Sequence, residues 1–393
     1  MPRLWNQFAI VTNWPVLAGV FVLTGLGVVS IWADTRLDPA PEWPKQIIFL
    51  GIGVALMLGM QLLSYQAIGR FAWGFYLFSI ALLVYTILPG VPRSGLLGVP
   101  LINGAHAWIN FGPVSLQPAE LTKISFVMVL ARYLRFRSNY RTLPGLLPPF
   151  ALALVPVGLM LKQPDLGTAL TFIPALFAML FVAGARFRHL FIIVGLGAAC
   201  VPLAWYSGTD VPVFRHLPEL VKQYQRDRVY AMFSTDPSVM QRKGFQQERA
   251  LVAFGSGGWT GKGLGVIPVG RSIPEAHNDM IFALIGEQFG LIGAIGLVIA
   301  YVVLFAAGVE ISAATREPFG KLLALGLVSL LAGQACLNLL VCLRLMPVTG
   351  VTLPFVSYGG SSLLASFIAA ALLINIGKNR PMVMARNAFE FEE

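Results

Sequence analysis

Charge is scarce in this 393-residue chain: only 12% of its residues are Asp, Glu, Lys or Arg. Soluble domains carry about 25%, so a water-soluble globule of this size is excluded. Cysteine is rare too, and Cys200, Cys336 and Cys342 are the only three. None is spaced as Cys-x-x-Cys, so neither a zinc site nor a disulfide framework is suggested. The four histidines, His106, His189, His216 and His277, are scattered without paired ligand spacing. No internal repeat or low-complexity tract is legible. The net charge of +10 does not mark a nucleic-acid partner, because the basic residues lie between long apolar runs rather than in one patch.

What is abundant is apolar. Hydrophobic residues make up 56% of the chain, and the mean hydropathy is +0.74. The 40 glycines and 26 prolines fit membrane helices, which carry both more readily than soluble helices do. A bilayer core needs about 20 apolar residues per helix. Runs of that kind lie near 15–33, 45–63, 71–90, 118–135, 144–161, 167–185, 189–206, 280–308, 320–343 and 359–377. They predict an all-α polytopic membrane protein of about ten transmembrane helices. It forms a single transmembrane domain over 1–393, with a large extracytoplasmic loop, 207–278, between the seventh and eighth spans and a short tail, 378–393. The first run is long enough to span, and Ile31-Trp32-Ala33 is a poor small-residue cleavage site, so no cleaved signal peptide is expected.

Basic residues set the direction. One set of alternate loops holds Arg70, the cluster Arg132, Arg135, Arg137 and Arg141, then Arg186, Arg188, Arg316 and Lys321, with Lys378, Arg380 and Arg386 in the tail. The opposite short loops hold only Arg36, Lys45, Arg93, Lys162 and Arg344. The positive-inside rule then predicts both termini in the cytoplasm and 207–278 outside. Within that loop, Asp227 to Arg249 and Gly255-Ser256-Gly257-Gly258 suggest short surface helices joined by glycine-rich turns. Small residues recur every four positions at Gly51, Ala55 and Gly59 and at Gly286, Gly290 and Ala294, a pattern that lets helices approach closely.

Charges at the rim of a membrane helix are costly and mark candidate functional groups. Four segments stand out, all on the outer side. Glu120 and Lys123, three residues apart at the start of the fourth span, share a helix face. They either satisfy each other within the bundle or line a polar cavity where Lys123 meets a substrate phosphate. Asp165, in the Gln163-Pro164-Asp165 turn between the fifth and sixth spans, either caps the next helix or shapes that cavity. Pro274 to Asp279 leads into the eighth span. Partial burial there raises a carboxylate towards the range of a general base, while the plain alternative for Asp279 is a helix cap. Glu287 is expected about 12 Å deeper on the same helix. Finally, Met346 to Ser362 is too rich in Pro, Gly and hydroxyls for a plain turn. A re-entrant segment facing the same cavity is expected, because irregular backbone at membrane depth must be buried in protein or line a cavity. The convergence suggests an amphipathic or lipid-linked substrate.

Together these segments resemble the SEDS family (shape, elongation, division and sporulation), whose members include RodA and FtsW. The resemblance rests on Gln163-Pro-Asp-Leu-Gly-Thr168, Gly261-Lys-Gly-Leu264, Pro274-Glu-Ala-His-Asn-Asp279 and Leu353-Pro-Phe-Val-Ser-Tyr-Gly-Gly-Ser361, in the family's order and over nearly the whole chain. It implies a peptidoglycan glycosyltransferase that polymerises lipid II at the outer face of the bacterial cytoplasmic membrane. It also implies a class B penicillin-binding transpeptidase as partner, within an elongation or division complex. Asp279 carries over as the catalytic base. Glu120 and Lys123 carry over as the paired groups of the fourth span, and Asp165, His277 and Ser357 are further candidates for substrate binding. A divalent cation, Mg²⁺ or Mn²⁺, is implied, with no legible ligand set, and no organic cofactor is expected. Tyr224 to Arg228 and Lys162 to Thr168 look more like the elongation branch, RodA, than the division branch, FtsW. Two positions depart from the family: Asn278 where Thr is usual, and Ala107 where Arg is common, which removes a phosphate contact from the third outer loop. The rival functions are a lipid flippase or transporter and a scaffold that only recruits the transpeptidase.

Overall fold

The computed structural model describes residues 13–102, 104–112, 114–137, 139–209, 216, 219–233 and 244–379. Fourteen helices carry the fold among them: α1 (Trp14–Thr35), α2 (Trp43–Gly59), α3 (Tyr65–Arg70), α4 (Ala72–Ile87), α5 (Pro118–Arg135), α6 (Leu147–Lys162), α7 (Leu166–Leu170), α8 (Phe172–Ala183), α9 (Phe187–Tyr206), α10 (Gln223–Phe233), α11 (Phe245–Ser256), α12 (Ile281–Ala314), α13 (Pro318–Cys342) and α14 (Gly360–Asn379). Proline opens several of them, as at Pro15, Pro44, Pro118 and Pro318, where the missing N–H has no helical partner to lose.

Eight of the described helical stretches are long and apolar enough to cross a membrane. Helix α4 is apolar but shorter, and α5 has the length but carries Glu120, Lys123, Arg132 and Arg135. With these two, every predicted span has its helix. The charges of α5 are tolerated because it lies at the centre, against α4, α6, α8, α13 and α14. Its Phe126, Val127, Val129 and Leu130 are fully buried, so its polar groups face protein rather than lipid.

Alternate connections gather at opposite ends of the bundle. At one end, Arg132 donates to the Gly69 carbonyl at 2.9 Å and Arg135 pairs with Glu317 at 3.1 Å. Asn13 meets the last turns of α14 there, donating to the Ile374 carbonyl. Arg380 and Arg386 of the basic tail lie outside the described residues. At the other end stand the α1–α2 corner, the loop 88–117 with its two-residue strands β1 (Ile109–Asn110) and β2 (Ser115–Leu116), the Gln163–Asp165 turn and the long loop before α12. That long loop contains α10 and α11, the expected short surface helices.

The eighth span departs from expectation. Helix α12 runs 34 residues, but Gly290 has φ 63° and ψ −161°, which breaks it. This backbone region is essentially open to glycine alone. The break frees carbonyls 287 and 288 and the amides of 291 and 292, and the loop 258–263 takes all four. Lys262 N donates to Glu287 O, Gly263 N to Gln288 O, Leu291 N to Gly258 O and Ile292 N to Trp259 O, at 2.9–3.1 Å. Gly290 is therefore a hinge point rather than part of a smooth packing stripe. Glu287 lies before the break, on the helical stretch that starts at Ile281. It is fully buried beside the break, ion-paired to Lys262 at 2.7 Å and accepting from Val269 N and Gly270 N.

The segment 346–359 is irregular and enters the bundle, as expected. Val351, Leu353, Phe355 and Val356 are buried, and Tyr301 of α12 donates to the Pro354 carbonyl. The backbone of Val356 packs on Gly27, eight residues before the end of α1, or about 12 Å down it.

Candidate active site

Helix α5 begins at Pro118, which puts Glu120 and Lys123 on its first turns with their heads directed into protein. Lys123 Nζ lies 2.9 Å from Glu120 and 2.7 Å from Gln334 Oε1 on α13. Only 5% of Glu120 and 2% of Lys123 remains exposed. Gln334 in turn donates to the carbonyl and hydroxyl of Thr352, and Thr352 Oγ1 lies 2.7 Å from Ser362 Oγ. A buried polar relay thus crosses from α5 through α13 to the irregular segment and the start of α14.

Asp165 joins the edge of this cluster. Its Oδ1 accepts from Thr168 N at 3.0 Å, the cap of α7, and its Oδ2 accepts from Gln117 Nε2 at 3.2 Å. Burial pushes its carboxyl up and Glu120 adds to this, while the Thr168 bonds and Lys123 oppose it. Asp165 therefore caps α7 and also holds Gln117 at the start of α5. Gln117 N donates to Ser361 Oγ, which ties the hairpin loop to α14.

Asp279 stands just before α12. Its carbonyl accepts from Asn338 Nδ2 at 2.8 Å and lies 3.3 Å from Cys342 Sγ. The same Asn338 amide donates to Val351 O at 2.7 Å. Burial lifts the Asp279 carboxyl to about 6, with Glu275 adding to the rise and Arg228 and His277 restraining it. Arg228 of α10 donates to the Val348 carbonyl at 2.9 Å, which brings the long loop over the irregular segment.

His277 sits between two carboxylates. Its Nδ1 lies 2.8 Å from Asp34 Oδ2, and its Nε2 lies 2.5 Å from Glu42 Oε2. Gln46, one turn beyond Glu42, donates to Ser357 O. Ser357 itself uses its hydroxyl to accept from Leu353 N at 2.7 Å, closing the 353–357 turn.

The structure thus joins Glu120, Lys123 and Asp165 in one cluster and His277 and Asp279 in another, with α13 linking them. Sequence reasoning missed Gln334, Asn338, Asp34, Glu42 and Gln46. A signal was present for the first two: amides four residues apart inside an apolar span, where polar side chains serve helix contacts or function.

For the cation expected from the resemblance, the described residues offer no ready-made cage: no group of three or more His, Cys, Asp or Glu among them is placed to hold a metal ion.

The cell cycle protein family of FtsW, RodA and SpoVE matches residues 6–381. A probable peptidoglycan glycosyltransferase FtsW from Trichlorobacter lovleyi is 34% identical over 376 residues, 92% of each chain. Among solved structures, a chain from a peptidoglycan synthase complex, studied for its coordination of polymerization and crosslinking, superposes with a TM-score of 0.75 at 31% identity, covering 94% of this chain and 98% of that one. The rod shape determining protein RodA of Thermus thermophilus gives a TM-score of 0.66 at 29% identity, covering 94% and 97%.

Proposed function

The chain belongs to the FtsW, RodA and SpoVE family, and from that premise we infer that it is a peptidoglycan glycosyltransferase. It is a multi-pass membrane enzyme that builds glycan strands. The substrate is lipid II, presented from the membrane at the end of the bundle that carries Asp279, and that end is the extracytoplasmic one. Both termini then lie in the cytoplasm. The observation that carries the mechanism is Asp279, its carboxyl lifted by burial to about 6 and its backbone carbonyl held by Asn338 of α13, the helix whose Gln334 holds the Lys123–Glu120 pair.

Asp279 is the general base. An acceptor sugar hydroxyl forms a bond from its oxygen to the anomeric carbon of the donor. The bond from that carbon to the pyrophosphate oxygen breaks, the hydroxyl proton passes to Asp279, and the lipid pyrophosphate leaves with inversion. Lys123 supplies a buried positive charge towards the leaving group, the kind of fixed electrostatic support that such a site uses. The divalent cation is assigned to the substrate's pyrophosphate rather than to a protein cage, since Mg²⁺ is commonly bound through phosphates and one or two carboxylates.

The partner is a crosslinking enzyme of the class B penicillin-binding type, a reading supported by the similar chain solved within a synthase complex. The branch is elongation, supported by the Tyr224–Arg228 and Lys162–Thr168 motifs; the FtsW name of the curated relative favours division instead. Depletion in the source bacterium separates the two, since loss of elongation rounds cells and loss of division makes filaments. The function itself is tested by incubating the purified protein with lipid II. Glycan strands are expected. Lipid II translocation without strands would overturn the enzyme in favour of a flippase.

A further inference from the structure

Asp34, Glu42 and His277 form a charged triad that the transfer chemistry does not use. They come from three places: the last turn of α1, the residue before α2, and the turn that ends in Asp279. Each imidazole nitrogen lies within ion-pair distance of a carboxylate oxygen, Nδ1 at 2.8 Å from Asp34 and Nε2 at 2.5 Å from Glu42. A neutral imidazole has one N–H and one lone pair, so one of these contacts would set lone pair against carboxylate. Only the imidazolium satisfies both. With both nitrogens engaged and the ring edge-on to Tyr358, centroids 5.5 Å apart, no ring nitrogen remains for a sugar or phosphate.

The triad is part of a larger grip. The His277 carbonyl accepts from Tyr358 N at 2.9 Å. From the same α1–α2 corner, Arg36 donates to the Gly265 carbonyl at 3.1 Å and Gln46 to the Ser357 carbonyl at 3.2 Å. The corner thus holds the long loop, the Asp279 turn and the irregular segment together.

We propose that His277 is a positioning residue for Asp279: held as an imidazolium between Asp34 and Glu42, it fastens the Pro274–Asp279 turn to the corner of the first two helices and so fixes where the Asp279 carboxylate stands. This rests on the glycosyltransferase function inferred above. The groups facing the ring are Asp34 from α1, Glu42 at the entry to α2 with Lys45 behind it, Tyr358 from the irregular segment, and Glu275 and Asp279 on its own turn. Burial opposes the charge on His277, but its bonds to Asp34 and Glu42 outweigh this and lift it to about 9. His277 in turn draws Glu42 below its ordinary value, against the opposing effect of burial. The clamp is therefore complete at neutral pH and is released as pH rises through about 9.

The test is lipid II polymerisation by purified protein from pH 5 to 10, with kcat and KM measured separately. Wild type should lose activity on an alkaline limb near 9. His277→Gln should lower kcat about 10- to 100-fold, the scale of a small misplacement of a reacting group, with KM within about threefold, and should lack that limb. A rise in KM at unchanged kcat would make His277 a substrate ligand. Unchanged kinetics, or a limb that survives the substitution, would equally overturn the proposal. Asp34→Asn with Glu42→Gln keeps His277 in place and guards against misfolding of the first variant. Its limb should move down to the ordinary imidazole value of about 6.5 or below it, since burial still opposes the charge; a limb still near 9 overturns the proposal. A wild type that makes no strands counts against the glycosyltransferase function instead. NMR of histidine-labelled protein still reads the triad in that case, with His277 titrating near 9 in wild type and at or below about 6.5 in the double variant. A wild-type value at or below about 6.5, or a double variant still near 9, removes the clamp.

Discussion

Asn338 follows Gln334 by one turn of α13, and the two amides divide the site between them. Gln334 accepts from Lys123 at 2.7 Å, while Asn338 donates to the Asp279 carbonyl at 2.8 Å and to the Val351 carbonyl at 2.7 Å. Four residues rise about 6 Å, so the helix sets the spacing between the buried cation and the base. Buried amides with several partners are costly to strip, because the groups left behind lose their hydrogen bonds.

Asp279→Asn tests the base directly, because the helix-cap alternative falls away: Met280 stands at the N-cap of α12, and no side chain bonds to the first turn there. Asn keeps the size of Asp yet cannot take a proton at neutral pH. Polymerisation by the folded variant should fall about 10²- to 10⁴-fold, the usual worth of general acid–base catalysis. Activity within a few-fold of wild type would remove the base role.

The pH profile carries the same residue. Asp279 must be ionised to act, and burial has raised it to about 6. The wild-type rate should therefore climb as pH rises through about 6 and then hold level until the alkaline fall near 9. A rate that stays level down to pH 4 would show that an ordinary exposed carboxylate, or none, limits the reaction.

Lys123→Ala should abolish strand formation and also destabilise the fold. It leaves Glu120 buried without its partner, a change that costs about 3–5 kcal/mol. Thermal unfolding of the membrane-extracted protein measures the second effect. Lys123→Met with Glu120→Gln removes both charges, so it should recover most of the stability but none of the activity. Recovery of both would reduce the pair to a structural bond.

Gly290→Ala should cost roughly 1–3 kcal/mol for the strained backbone alone. A methyl group there also meets the carbonyl of Trp259 at 2.5 Å and the backbone of Gly261, and backbone cannot swing aside. Gly296, with open space around it, is the control: its alanine variant should be as stable as wild type. Equal stability for both variants would mean that the break in α12 is not held by the loop 258–263.

Topology is checked at Ser272, which is exposed in the long loop. With Cys200, Cys336 and Cys342 replaced, Ser272→Cys should react with a membrane-impermeant thiol reagent in intact spheroplasts. Reaction only after the cells are broken would reverse the orientation.

Much of this was legible in local sequence. Hydropathy located all the spans, because the bilayer demands an apolar run wherever a helix crosses and that demand acts on contiguous residues. Rim charges drew attention to Glu120, Lys123, Asp165 and Asp279 for the same reason: a charge beside hydrocarbon is too costly to be incidental. Their partners were not legible. Lys123 and Gln334 are 211 residues apart, and His277 and Asp34 are 243 apart; no local pattern pairs them.

The sequence by itself determined that the chain is a bundle of membrane helices with polar groups at one rim. Only the tertiary structure decided that α12 breaks at Gly290, where a distant loop satisfies four freed backbone groups. It likewise decided that Glu287 serves that loop rather than the membrane interior, and that both nitrogens of His277 are spent on carboxylates. The reason is physical: burial and hydrophobic length are properties of a segment, whereas a hydrogen bond needs two groups within about 3 Å, and which groups meet is settled by how the helices pack.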